Sequence, residues 1–188
     1  EIISGNGAHP TYSGIPTAND VAVNSVKQIG TQCNASVALE AEIQNMGQNT
    51  MTSATINYSI NGASATYNWT GNLTSFAKQT ISLPALEYVI EDVNTATVAV
   101  GTDENNENNA ATMTFNKAAE TTRTLVLTLN TDQYANECRW NIKNSAGATV
   151  AQGQGYANNS NNVIDIVLDA NDCYTFNLID TYGDGGRA

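Results

Sequence analysis

Two acidic stretches and three cysteines carry the chemistry in this chain that goes beyond packing. The segment Asp180-Thr181-Tyr182-Gly183-Asp184-Gly185 has the composition of a calcium-binding turn. Ca²⁺ takes about six to eight oxygens at about 2.3–2.6 Å, and short turns supply them from carboxylates and backbone carbonyls. Gly183 and Gly185 can adopt positive φ, which turns carbonyls inward. Asp180 and Asp184 are therefore candidate Ca²⁺ ligands, with Asp165, Asp169 or Asp172 available to complete a shell if folding brings them close. The segment lacks the third acidic position and the distal Glu of an EF-hand loop. Its alternative reading is a tight glycine turn in which Asp caps its own backbone. Asp103, Glu104 and Glu107 form a weaker metal candidate, set against a turn that simply faces solvent.

Cys138 and Cys173 fall on expected strands of the same C-terminal unit. In an oxidising compartment a disulfide between them would staple a small unit and contribute about 2–4 kcal/mol. The alternative is a pair of buried thiols. Cys33 is then left unpaired within the chain, either a free thiol or bonded to a partner outside it. The absence of any C-x-x-C argues against both a thioredoxin-type site and a zinc site. His9, the single histidine, stands in an N-terminal stretch with no nucleophile marked nearby and reads as a linker residue, so a Ser-His-Asp set has no support. Paired carboxylates of a glycosidase are available by residue type, but they need a cleft that modules this small rarely provide. Trp69, Tyr67, Trp140, Tyr156 and Tyr174 could stack on sugar rings if exposed; the alternation around Trp69 and Trp140 reads instead as core. Asn-x-Ser/Thr triplets at Asn34, Asn57, Asn68, Asn72 and Asn158 are expected by chance in so Asn- and Thr-rich a chain.

Charge narrows the partners. Seven Lys and Arg face eighteen Asp and Glu, a formal net charge of −11, so binding to nucleic acid or to an anionic lipid surface is excluded as a principal role. Divalent cations are natural partners of the excess; its plainer use is to keep an exported protein soluble. No run approaches the roughly 20 apolar residues of a membrane span. The chain begins at Glu1 without Met or signal peptide, which reads as a mature, proteolysed or excised product.

The elements that must position these residues are strands. Residues 1–17 contain Gly, Pro and Ser punctuation and read as a linker or the tail of a preceding domain, although Ile2, Ile3, Tyr12 and Ile15 would allow an edge strand. From Asp20 onward apolar residues recur at every second position. Val21 and Val23 share a side with Val26 after a slip; Val37, Leu39, Ala41 and Ile43 alternate with Ala38, Glu40, Glu42 and Gln44; Ile56, Tyr58 and Ile60 lead into Asn61-Gly62, a hairpin signal. Tyr67 and Trp69 follow on one face, then strands over 78–84, 95–101 and 111–115, the last two separated by the acidic turn. About seven short strands within residues 18–117 have the count and spacing of an immunoglobulin-like sandwich. One helical turn is expected around Leu86–Val93. Residues 118–188 supply a second, smaller set of five strands, in which Trp140 and Ile142, and likewise Val163 and Val167, share a face while Leu125 and Val126 compete for the interior. Asn144-Ser145-Ala146-Gly147 reads as a hairpin turn. The fold class is therefore all-β: two tandem β-sandwiches, the second jelly-roll-like or a plain sandwich.

Particular motifs carry a family resemblance. Cys173-Tyr174-Thr175-Phe176 followed by Asp180-Thr181-Tyr182-Gly183-Asp184-Gly185 resembles, over about sixty residues, a repeated "CYTF…DSYGDG" module of exported Bacteroidota proteins, many of them clients of type IX secretion. Gly186-Arg187-Ala188 departs from that pattern, where members continue with further cysteines and another strand. The DVAV opening, Glu42–Gly47 and Asp103–Asn109 resemble the CARDB immunoglobulin-like domains associated with adhesion. These resemblances imply an accessory role beside a catalytic or redox domain. The expected function is a non-catalytic extracellular stalk, spacer or surface-filament element, partnered by other domains of a parent chain or by neighbouring subunits through strand contacts. The alternative is a Ca²⁺-assisted binding domain for polysaccharide or protein in an exported enzyme such as a metallopeptidase.

Overall fold

The computed structural model describes Gly14 and residues 17–183, and the chain divides into two compact units, one ending at Ala118 and the next beginning at Ala119. Gly14 and Thr17 apart, the N-terminal linker or edge strand expected over 1–17 lies outside the described residues.

In the first unit one sheet is three-stranded. It comprises β1 (Val21–Val26), β3 (Glu40–Asn45) and β6 (Lys78–Ser82) in the antiparallel order β1-β3-β6. The facing sheet comprises β4 (Met51–Ile60), β5 (Ala63–Leu73), β8 (Val93–Val100) and β9 (Ala110–Asn116) in the order β5-β4-β8-β9. A short pair, β2 (Ser36–Val37) with β7 (Leu86–Glu87), lies beside them. This is an immunoglobulin-like sandwich. Leu86–Glu87 is thus extended, not the helical turn expected there: its backbone finds partners in Ser36 and Val37, which a lone turn would lack.

Alternation decides the core. Leu39, Ala41 and Ile43 are buried on one sheet and Ile56, Tyr58, Ile60, Ala96 and Val98 on the other, with Trp69 and Phe115 filling between them. Each large apolar side chain buried in this way contributes about 1.5–3 kcal/mol. The slip expected in β1 is a register shift between Val23 and Ser25, which lets Val23 and Val26 both point inward. Asn61 and Gly62 have φ of 47° and 88°, the two left-handed positions of the tight β4–β5 hairpin. Two asparagines inside this apolar layer are fully bonded. Asn45, 1% exposed, donates from Nδ2 to the carbonyls of Asn49 (2.7 Å) and Leu73 (2.8 Å) and accepts the Gly47 N–H at Oδ1 (3.0 Å). Asn94 likewise donates to the Glu91 carbonyl at 2.8 Å and accepts the Glu91 N–H at 2.9 Å.

The second unit is a smaller sandwich. Strands β10 (Thr124–Asn130) and β13 (Asn161–Val167) form a two-stranded sheet. Strands β11 (Cys138–Lys143), β12 (Thr149–Gln154) and β14 (Thr175–Asp180) form a three-stranded one in the order β12-β11-β14. Leu129, Trp140, Ile142, Ile166 and Leu168 make the core. Leu125 wins the interior over Val126, which is 62% exposed. The face expected to be formed by Val163 and Val167 points outward, both residues being exposed, because pairing with β10 sets Ile164 and Ile166 opposite Leu127 and Leu125. Trp140 is buried, donates from Nε1 to the Tyr156 hydroxyl and stacks against Phe176 at 6.2 Å.

Gly153 leaves the space that the Trp140–Tyr156 pair occupies; a Cβ there would lie 2.5 Å from Trp140 Nε1 and 2.2 Å from the Tyr156 hydroxyl. Gly153→Ala is expected to destabilise the second unit by about 1–3 kcal/mol through overpacking. Urea unfolding followed by tryptophan fluorescence measures it, and an unchanged midpoint would show that the pair yields without cost.

Candidate functional site

The β8–β9 loop, residues 101–109, carries Asp103, Glu104 and Glu107, and the first two turn their carboxylates toward backbone amides. Asp103 Oδ2 accepts the Val21 N–H at 2.7 Å and its Oδ1 accepts the Asn105 N–H at 3.0 Å. Glu104 Oε2 accepts the Ala18 N–H at 2.7 Å, while Oε1 takes the Asn19 N–H at 3.1 Å. In return the Glu104 N–H reaches the Asn19 carbonyl at 3.4 Å. Two carboxylates thus clamp the lead-in to β1, whose first amides have no strand partner. Glu107 is exposed, and its own N–H bonds Asn105 Oδ1 at 3.4 Å. Asp103, Glu104 and Glu107 therefore divide: two hold backbone and one faces solvent.

Asp20, which the sequence did not single out, is the buried acid here, 5% exposed. Asn108 Nδ2 donates to its Oδ1 at 2.8 Å and the Thr17 hydroxyl to its Oδ2 at 3.2 Å. Its carbonyl accepts the N–H groups of Met46 (2.7 Å) and Gly47 (3.2 Å). The sequence signal for it was weak: a lone Asp just before an alternating run.

In the second unit Asp180 closes β14 and caps the turn that follows. Its Oδ1 accepts the N–H groups of Tyr182 (3.0 Å) and Gly183 (3.1 Å), and Gly183 has φ of 84°. Asp184 and Gly185 lie outside the described residues, as does His9. Asp172 is not near this turn. Cross-strand register sets Asp180 opposite Cys138 and Thr175 opposite Lys143, so residues preceding β14 stand at the far end of the sheet. There Asp172 accepts the N–H groups of Ser145 (3.4 Å) and Cys173 (2.7 Å); the Ser145 side chain first, and then these amides, hold its carboxyl below the usual range. Asp165 is mid-strand opposite Val126, and the Asp169 carbonyl accepts from Arg123. Among the described residues no three of His, Cys, Asp and Glu are grouped as a metal site.

The same register corrects the cysteine assignment. Cys33 and Cys173 are disulfide-bonded and Cys138 is the free thiol, so neither the Cys138–Cys173 bridge nor an unpaired Cys33 holds. Cys138 opens β11 opposite Asp180, whereas Cys173 lies beyond Thr175, which faces Lys143. Five residues of strand separate them by roughly 17 Å, against the roughly 4.4–6.8 Å between α-carbons that a disulfide spans. Burial, and then the charges of Asp132 and Asp180, push the Cys138 thiol above its ordinary pKa. Trp69 and Trp140 are core residues, 3% and 4% exposed, as their alternation indicates, while Tyr67, Tyr156 and Tyr174 are half-buried.

No family model matches the chain, and no curated protein matches it. Among solved structures, the crystal structure of a CARDB domain from Pyrococcus furiosus in complex with di-metal ions covers 55% of this chain and 97% of its own, with 21% identity and a TM-score of 0.44. A solution NMR structure of that domain covers 55% of this chain and 99% of its own, at 21% identity and a TM-score of 0.45. The secreted serine protease VesC of Vibrio cholerae is similar over 88% of this chain and 47% of its own, at 11% identity and a TM-score of 0.31.

Glu104→Ala removes two bonds that hold the lead-in and is expected to cost about 1–3 kcal/mol. Faster hydrogen exchange at the Ala18 and Asn19 amides reports it, with β9 unaffected. A raised thiol pKa means less thiolate at a given pH, so alkylation of Cys138 at pH 8 is expected to be slower than that of a free cysteine. Asp132→Asn removes one raising charge and should speed it. Without reductant, mass spectrometry should find one alkylated cysteine; two or three would contradict the bonding pattern.

Proposed function

We propose that this chain is a non-catalytic pair of β-sandwich accessory modules from an exported protein, a spacer or surface-filament element that works through its sheet faces and edges. The observation that carries this reading is the charge pattern of the first unit. Strands β4, β5, β8 and β9 contain no charged residue, in a chain of net charge −11. Apart from Val93 and Ala110, their exposed side chains are hydroxyls and amides, cross-linked as Thr66 to Asn57 (2.9 Å), Thr55 to Asn68 (3.4 Å) and Thr97 with Thr112 (3.2 Å). The other sheet is charged by contrast, with Lys27 paired to Glu40 and Lys78 to Glu42 at 2.9 Å.

Sheets normally blunt their edges with Lys, Pro or short strands. β5, eleven residues long, lies at a sheet edge with none of these. That supports strand-to-strand contact with neighbouring subunits or other domains of a parent chain. Disulfide-bonded Cys33 and Cys173 support an oxidising, extracellular setting, since cytosolic thiols are kept reduced. Export through the type IX route in a Bacteroidota cell is the source that the second unit's motif favours.

A second reading rests on the same neutral hydroxyl-and-amide face: it fits an uncharged polysaccharide, within an exported enzyme, with or without the help of Ca²⁺. Sedimentation velocity against concentration, beside retention on neutral polysaccharide columns with and without chelator, separates the two. Thr66→Lys with Asn68→Lys puts two charges on the face and is expected to weaken self-association at least tenfold in apparent affinity. A wild-type chain that neither associates nor is retained, at any concentration reached, would overturn both readings.

A further inference from the structure

We propose that the first unit holds a Ca²⁺ ion at the junction of its lead-in and the β8–β9 loop, liganded by Asp20, Asp103 and the side-chain oxygens of Asn108 and Asn109. Unlike Asn45 and Asn94, these two asparagines are incompletely bonded: Asn108 Oδ1 and Asn109 Oδ1 are buried without a hydrogen-bond partner. Asn109 is 8% exposed. Buried oxygens of this kind are uncommon, and each implies a donor, a water or a cation.

Rotating the amides does not relieve them. Asn109 Nδ2 already donates to the Gly101 carbonyl at 2.8 Å and to Asn106 Oδ1 at 3.3 Å. Asn108 Nδ2 donates to the Asp20 carboxylate. A flip would turn each oxygen onto another acceptor, so the oxygens are held where they are by their own nitrogens.

The four side chains belong to one closed circuit. Asn109 bonds Asn106 Oδ1, which accepts the Asp103 N–H at 3.3 Å; Asp103 Oδ2 accepts the Val21 N–H; Asp20 precedes Val21 in the chain and is bonded by Asn108, which precedes Asn109. Hydrogen bonds and chain adjacency thus tie the two carboxylates and the two unpartnered amide oxygens to one junction. The donors recorded for the two carboxylates, Thr17, Val21, Asn105 and Asn108, are all neutral. Each carboxylate oxygen retains a lone pair beyond the bond it accepts. An all-oxygen set of mixed carboxylates and carbonyls, irregular in spacing, suits Ca²⁺ better than Mg²⁺, which demands near-octahedral geometry. The ion would neutralise carboxylate charge that the neutral donors leave uncompensated and satisfy both amides together. This site uses neither Asp180 nor the clamping carboxylate of Glu104, and it does not depend on the proposed function.

The test uses the whole chain, stripped with EDTA and dialysed, and then titrated calorimetrically with CaCl₂ and melted with and without it. Extracellular calcium modules bind at about 10⁻⁴–10⁻³ M, so about 10 mM Ca²⁺ is expected to raise the first unit's melting temperature by about 5 °C or more. Asp20→Asn and Asp103→Asn are each expected to weaken binding at least tenfold; the pair keeps the test open if one variant fails to fold. Asp180→Ala is expected to leave it intact. No heat and no melting shift in the wild type, as a buried water alone would give, overturns the proposal. So does a response that survives both asparagine variants, or one lost in Asp180→Ala.

Discussion

The constraint on which everything else depends is the strict two-residue alternation of a pleated strand. Once Leu39, Ala41 and Ile43 face one way, Glu40, Glu42 and Gln44 must face the other. A slip of one position would exchange the whole set. The chain tolerates one slip, in β1, where a local bulge returns Val26 to the interior. Because strands cannot end inside an apolar layer without satisfying their amides, the chemistry of the molecule is pushed to its turns. There the carboxylates and asparagines collect.

A chain with so few basic residues must use its acids differently from a protein rich in ion pairs. Exposed salt bridges contribute little, and the two recorded in the first unit, Lys27–Glu40 and Lys78–Glu42, are of that kind. Asp103, Glu104, Asp172 and Asp180 instead accept backbone N–H groups. A charge-assisted bond to an amide is stronger than a neutral one, and it fixes a loop without a cation. Acidic composition therefore reads in two ways that sequence does not separate: ligand shells, and clamps on the protein's own backbone. Most of these carboxylates are clamps; Asp20, bonded by Thr17 and Asn108, is the exception, and with Asp103 it is where the calcium proposal bears.

The distribution of charge between the two sheets of the first unit has a physical consequence for interaction. A neutral face of hydroxyls and amides costs little to desolvate compared with a charged one, and it does not repel a second acidic molecule. Under the proposed reading, contact and hydration fall to different faces of one sandwich.

The sequence by itself determined the all-β class, the positions of nearly all the long strands, the Asn61-Gly62 hairpin and the burial of Trp69 and Trp140, because these follow from local period and turn chemistry. It also located the acidic turns. Tertiary structure alone decided what required pairing across strands: that Val163 and Val167 face out, that Leu86–Glu87 is extended, and that Cys138 stays reduced while Cys33 and Cys173 do not. The physical reason is that register is a relation between segments distant in the chain, and a one-strand pattern carries no record of its partner. Asp20 passed unnoticed for the same reason. Its burial is made by Asn108, eighty-eight residues away, and only the folded chain brings the two together.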